Sequence, residues 1–349
     1  MNKYVTILRR ALTKSYSKGM GKKDVIDAKV LLSARRILIV RPNHRLGNQL
    51  LISPIIQEVA QRFPKSKIEL FTKGFLAPIL YKNYPNVDKY YLLPKKHFRH
   101  LLTYFSVWLR VAGHHYDLVI NTVPSSSSGT LATRLTCSKN KLYLKEDTVY
   151  SSYPDFKHIA KEPVYYLRSV LSKVGLKMAE KSVPTINLLL NEEELKKGKS
   201  VLNSLVDGTK PTICIYTFAT GLKCFAKNWW KNFYQQLSAK YPDYNILEVL
   251  PKEHVSSVDF QCTSYYSLDL REISAVMANT RIFIGTDSGM MHLASASGIP
   301  VVGLFNITDE KIYGPYGNHS FSINVVNPEE NDRLLVMVDE VLNGMKKYS

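Results

Sequence analysis

From residue 36 onward, short apolar runs alternate with longer segments whose apolar positions recur at helical spacing. The runs "RILIV", "KIELF", "KYYLL" and "YDLVIN" are followed by periodic stretches over 46–63, 74–83, 97–112 and 128–135. Runs of strand length between helical patterns predict a parallel sheet covered on both faces. A helix is expected over 160–174, then a link, "KMAEKSVPTINLLLNEEEL". The alternation then restarts with "PTICIYTF", a helix near 228–240, "YNILEVL", a helix near 271–279, "RIFIGT", a helix near 289–297 and "PVVGLF". This predicts a second parallel sheet, and a terminal helix over 331–347 expected to pack back on the first domain. No internal repeat or low-complexity tract interrupts the pattern.

The reading is an α/β chain of two Rossmann-like, doubly wound domains facing a central cleft, over 36–180 and 181–330, with a basic arm over 1–35 and a terminal helix over 331–349. Ligands of open parallel sheets bind at the carboxyl ends of the strands, so the chemistry belongs on the strand-to-helix loops.

Composition agrees with two ordinary domains. The 349 residues are 45% hydrophobic and 22% charged, with a mean hydropathy of −0.14, as in soluble globular proteins. No apolar run approaches the roughly 20 residues of a membrane-spanning helix. An N-terminus without a secretory core, and Cys137, Cys214, Cys224 and Cys262 without metal or redox spacing, point to a reducing cytosol.

The net charge of +18 changes the picture, because such a field serves binding and not folding. The first 36 residues carry Lys3, Arg9, Arg10, Lys14, Lys18, Lys22, Lys23, Lys29, Arg35 and Arg36 against Asp24 and Asp27, with apolar residues interspersed. That suits either a helix lying on an anionic membrane or a solvated arm. No zinc spacing, RNA-recognition signature or helix-turn-helix organises the charge for nucleic acid.

The most informative loop is "FIGTDSGMMHLASASGIPVVGLF". A strand ends at Thr286, Asp287 and Ser288 can cap a helix, and Gly289 permits a ligand close to the backbone. A helix N-terminus of this kind is an anion site suited to a pyrophosphate, and His292, one turn beyond Ser288, can donate to the same phosphates. Each residue also has a plain reading, His292 as a core histidine and Asp287 as a simple N-cap.

The segment "TDSGMMHLASASGIPVVGLF", followed by "GPYG", resembles the D-[ST]-G-x-x-H-[LI]-A-[AS]-A-x-G-x-P stretch of glycosyltransferase family 9, the bacterial lipopolysaccharide heptosyltransferases. "RLGNQLLISP" resembles that family's R-[LF]-G-D opening, and the likeness covers roughly residues 36 to 320. The resemblance implies a GT-B fold and inverting, metal-independent transfer from a nucleotide sugar, with no cofactor. It implies that Asp287, Ser288, Gly289 and His292 bind the donor, and that Lys223, in "ATGLKCFAKNWW" before Trp230, offsets charge on the leaving diphosphate, with Lys227 as the nearby competitor. Glu253 in "LPKEH" resembles an acid on the donor's nucleoside, and Tyr313 and Tyr316 either line the cleft or anchor their loop.

The opening loop departs from the pattern. Where the family carries an aspartate as base, this chain has Asn48, which can orient a hydroxyl through its carbonyl oxygen but cannot take its proton. His44, four residues earlier, or a carboxylate that the sequence does not identify, is the candidate substitute base, His44 alternatively binding an acidic group of the acceptor, with Gly47 opening the helix and Arg45 adding positive charge. "LGNQ" also resembles inverting fucosyltransferases. The implied activity is transfer of heptose from ADP-heptose to a lipid-linked anionic glycan by a monomer at the inner face of the cytoplasmic membrane. A GDP-fucose-type enzyme and a non-catalytic nucleotide-sugar binder are the alternatives. A Rossmann dehydrogenase is disfavoured because no G-x-G-x-x-G follows the first strand.

Overall fold

The computed structural model describes residues 24–96, 99–123, 125–144, 151–176, 181–325 and 331–346. Most of the expected membrane arm, residues 1–23, lies outside them. Residues 24–35 are part of the first body of the fold: Asp24 accepts from the Tyr143 backbone N–H (3.0 Å) and the Tyr166 hydroxyl, and Leu31 is fully buried. Among the described residues no helix is long and apolar enough to cross a membrane.

The chain forms two compact units that meet in sequence at Pro184, the second also taking Lys157–Ile159. In the first, β1 (Arg36–Arg41), β2 (Lys67–Lys73), β3 (Val87–Leu93), β4 (His115–Tyr116), β5 (Leu118–Asn121), β6 (Cys137–Ser138) and β7 (Lys141–Tyr143) follow one another. Five of them build a sheet in the order β3-β2-β1-β5-β7, and β4 pairs separately with β6. Each pairing between these strands is parallel, and Val25 adds a single antiparallel bridge to Lys141 of β7. Helices cover both faces of such a sheet, so its central strands read as continuous apolar runs: Ile37 to Val40 are all fully buried.

The periodic segment 46–63 forms two helices, Leu46–Leu50 and Ser53–Arg62, not one. Pro54 supplies no backbone N–H, so it is tolerated in a helix's first turn and breaks a longer one. The second helix is held to Glu162–Lys173 by the buried Glu58 carboxylate, which accepts from Arg62 Nε (2.9 Å) and Arg168 Nη2 (2.7 Å).

The second unit runs β8 (Thr212–Tyr216), β9 (Asn245–Val249), β10 (Thr263–Tyr265), β11 (Ile282–Thr286), β12 (Val301–Phe305) and β13 (Phe321–Asn324), in the order β10-β9-β8-β11-β12-β13. All its pairings are parallel. Two expectations need correction here. The end of the supposed link is a helix, Glu192–Leu205, started by a capping box in which Asn191 Oδ1 accepts from Glu194 N–H and Glu194 Oε2 from Asn191 N–H. The terminal helix Asn331–Lys346, expected against the first domain, packs in the core of the second unit: Leu334, Val338 and Val341 are buried there, and Asp339 accepts from Tyr241 (2.5 Å) and Lys240.

Strand order reverses between β1 and β5 in the first unit and between β8 and β11 in the second. At such a switch point the two loops leave in opposite directions and open a crevice at the carboxyl ends of the strands.

Candidate functional site

At the switch point of the second unit, the loop after β8 brings Lys223 to the loop after β11. Lys223 donates to Asp287 Oδ2, which also accepts from Thr308 Oγ1 at 2.5 Å. Asp287 is only 6% exposed, so its charge is compensated by a cation and a hydroxyl from two other loops. Asp287 Oδ1 faces His292 Nε2 at 4.0 Å, beyond hydrogen-bond reach. Asp287 is not the helix cap. That role falls to Ser288, whose Oγ accepts from Met291 N–H at 3.3 Å ahead of the helix Gly289–Ala296.

His292 is 4% exposed, and its Nδ1 is a buried polar atom without a hydrogen-bond partner among the described residues. Burial holds its pKa well below the ordinary imidazole value; Asp287 opposes that shift, while His158 and Lys223 reinforce it. The ring is therefore neutral at pH 7. His158 itself is fixed by Gly314 O at 2.8 Å from its Nε2, and its ring meets Tyr316 edge-on with centroids 4.9 Å apart.

The remaining expected donor residues lie around this cluster in different ways. Thr286 closes β11 by donating to Phe218 O at 3.1 Å. The competitor Lys227 is drawn elsewhere, pairing with Asp259 alongside Lys231. Trp230 is a fully buried core residue. Glu253 is exposed after β9, with Lys252 Nζ at 3.8 Å. Sequence reasoning missed two residues here. Thr308 has no motif to mark it. Glu248 is a fully buried carboxylate on β9 that accepts from Thr217 Oγ1 and Ser256 Oγ, each at 2.6 Å, and so pins the Glu253 loop beside the end of β8.

The first unit carries a separate basic cluster at its own switch point. Arg41, the buried last residue of β1, donates through Nη1 to Thr122 O after β5 (3.3 Å) and through Nη2 to Asn48 Oδ1 (2.7 Å). The Arg41 bond is charge-assisted and fixes the Asn48 amide, whose oxygen has a second lone pair and whose N–H groups can face a ligand. Arg45 and His44 are exposed, and Gly47 is buried one residue into the helix Leu46–Leu50. Partial burial, with Lys73, Lys95 and Arg45 nearby, keeps the His44 pKa below the ordinary imidazole value.

Residues 104–337 match the model of glycosyltransferase family 9 (heptosyltransferase). Lipopolysaccharide heptosyltransferase 3 of Escherichia coli is 21% identical over 291 residues, covering 78% of this chain and 84% of that protein. Among solved structures, the family 9 glycosyl transferase of Veillonella parvula superposes with a TM-score of 0.70 at 16% identity, covering 90% of this chain and 98% of that one. The E. coli heptosyltransferase WaaC, solved with ADP, gives 0.64 at 15% identity, covering 88% and 99%.

Proposed function

The chain belongs to glycosyltransferase family 9 and has a GT-B fold, and on that premise we propose that this glycosyltransferase moves heptose from ADP-heptose, with inversion and without a metal, to a lipid-linked lipopolysaccharide core acceptor. The relatives named for lipopolysaccharide heptose transfer support the substrate class. The observation that carries the donor reading is the Lys223–Asp287 pair beside the N-terminus of the helix Gly289–Ala296. In this reading the diphosphate lies against the helix's first N–H groups, and the Lys223 ammonium takes up charge as the glycosidic bond breaks. Asp287 Oδ1 accepts a sugar hydroxyl while Oδ2 keeps Lys223 and Thr308 in place. Neutral His292 gives its ring N–H and not a second charge. Glu253 reaches the nucleoside from the loop that Glu248 holds.

The test is a thermal-shift series with ADP-, GDP- and UDP-sugars, followed by turnover of the best ligand. A ligand that binds only the folded state stabilises it by mass action, by about 2.7 kcal/mol at a hundredfold excess over Kd, and so raises the melting point. ADP-heptose is expected to give the largest shift and to be consumed in the presence of acceptor. A larger shift with GDP-fucose would transfer the reading to a fucosyltransferase. Binding of ADP-heptose without turnover would leave a nucleotide-sugar binder.

Acceptor activation is assigned to His44, with Asn48 orienting the hydroxyl. Because the His44 pKa is lowered, the imidazole stays neutral and able to accept a proton down to pH values below 6.5. The expected kcat profile is flat near neutrality and falls only as pH drops through that lowered pKa. His44→Ala abolishes this acid limb, and Asn48→Asp in the His44→Ala background recovers part of the rate. An unaltered limb and kcat in His44→Ala would send the search for the base elsewhere.

A further inference from the structure

The helix Leu101–Ala112 in the first unit is apolar on two sides. Tyr104, Val107, Trp108 and Val111 recur at the spacing of one face and pack against Phe71, Tyr91 and Tyr116 in the core. A second stripe is turned outward: Leu101, Leu102, Phe105 and Leu109 are 49%, 88%, 59% and 73% exposed. At about 100° per residue, these four lie within an arc of about 100°, centred about 120° from the buried face. A soluble helix places charged and polar residues there.

The surroundings say what could cover the stripe. Between Asp88 and Asp117 the sequence holds Lys89, Lys95, Lys96, Arg99 and Arg110 and no carboxylate. Lys96 and Arg99 are exposed just before the helix, Arg110 is exposed in its last turn, and Thr103, Ser106 and Arg110 share its polar side. Leucine and phenylalanine on one arc, with cations and no carboxylate in the stretch that carries them, is the composition of a helix that lies in a lipid interface and is held by anionic headgroups. Its start also adjoins the basic cluster of this unit. Lys95, six residues before Leu101, approaches Gly74 and acts electrostatically on His44.

We propose that the outward stripe Leu101–Leu102–Phe105–Leu109, with Lys96, Arg99 and Arg110, seats the first unit on an anionic lipid surface. The proposal rests on the lipid-linked acceptor reading for its purpose only. Seating this edge of the sheet on the bilayer brings the His44 loop to a glycan that rises from the same membrane, so the enzyme searches a surface and not a volume.

The experiment is co-sedimentation of the full chain with vesicles of phosphatidylethanolamine and phosphatidylglycerol, and with neutral phosphatidylcholine vesicles, at low and high salt. Leu102→Ser/Phe105→Ser/Leu109→Ser is expected to lower partition at least about tenfold, and Leu102→Ser alone, at the most exposed position, to lower it measurably without touching the core. Lys96→Ser/Arg99→Ser is expected to weaken binding to the anionic vesicles about tenfold and to leave binding to neutral ones unchanged, and salt is expected to mimic it. All three variants should keep the melting point and the ADP-heptose shift of the parent. Failure of that shift in the parent therefore strikes the donor reading, and unchanged vesicle binding in the variants strikes this one. Two further results would overturn it. Loss of vesicle binding on deletion of residues 1–23, with the stripe variants unaffected, would give the membrane contact to the arm. A stripe variant that turns a dimer into a monomer while still binding vesicles would give the stripe to a second copy of the chain.

Discussion

Lys223→Ala is expected to lower kcat/KM for the nucleotide-sugar donor by about 10²–10³-fold, the usual loss when one preorganised stabiliser of developing charge is removed. The reasoning starts from the pair itself. Asp287 is buried and holds the Lys223 ammonium in one place, so that the cation is positioned before the donor arrives and needs no reorganisation as the leaving diphosphate takes up charge. Folding should suffer much less. The lysine side chain is 33% exposed, so solvent and the bond from Thr308 offset part of the cost of leaving the buried Asp287 without its cation. Lys227→Ala is the matched control. Its ammonium pairs with Asp259 on the surface, and its kcat/KM should stay within about twofold of the parent, as for surface changes remote from the chemistry. Steady-state kinetics on the two variants, with their melting points, decide the matter. Equal losses, or none from Lys223→Ala, would remove Lys223 from the site.

The contrast between these two lysines shows how far the sequence could be read. Both sit in one short stretch, and spacing alone does not choose between them; the choice is made by Asp287 and Asp259, 64 and 32 residues away along the chain. Strands were legible because a strand buried on both faces must be apolar throughout. The loops after β8 and β11 could be named as the candidate site because strand ends are where ligands of parallel sheets bind. Three features escaped for identifiable reasons. The helix Glu192–Leu205 carries three glutamates in its first turn and reads as a polar link, although Asn191 and Glu194 at capping-box spacing mark its start. Thr308 and Arg41 become site residues only through long-range folding, since neither belongs to a local pattern that would mark it. The terminal helix has an apolar face that fits any core, and only the burial of Leu334 and Val338 among β-strand residues shows which one it joined.

The other large effect is expected far from the cluster, at Gly198. This glycine lies inside the helix Glu192–Leu205, where alanine is ordinarily better by about 1 kcal/mol. Helix propensity therefore predicts that Gly198→Ala stabilises the protein. Packing predicts the opposite. A Cβ at this position would stand 2.4 Å from the carbonyl carbon and oxygen of Ala275 and 2.8 Å from its Cβ. Two of those atoms are backbone in the helix Leu270–Ala278, so the clash cannot be relieved by a side-chain rotation, and the two helices must separate. They are not free to do so, because Arg271 bonds Glu194 through Nε (2.6 Å) and Nη2 (2.8 Å) across the same contact. Overpacking of this kind costs about 1–3 kcal/mol, which outweighs the propensity gain. Gly198→Ala is thus expected to lower the melting point by several degrees. Gly198→Val, with two more methyl groups and poorer helix propensity, should cost about 3 kcal/mol or more and lower the melting point further than Gly198→Ala. The loss should reach the Lys223–Asp287 cluster as well, since Ser274 on the displaced helix bonds Ser297 at 2.6 Å, just past the end of the helix that Ser288 caps. Calorimetry on the two variants checks the sign. A Gly198→Ala protein that melts higher than the parent would mean the helices yield at that contact, and that propensity decides the position.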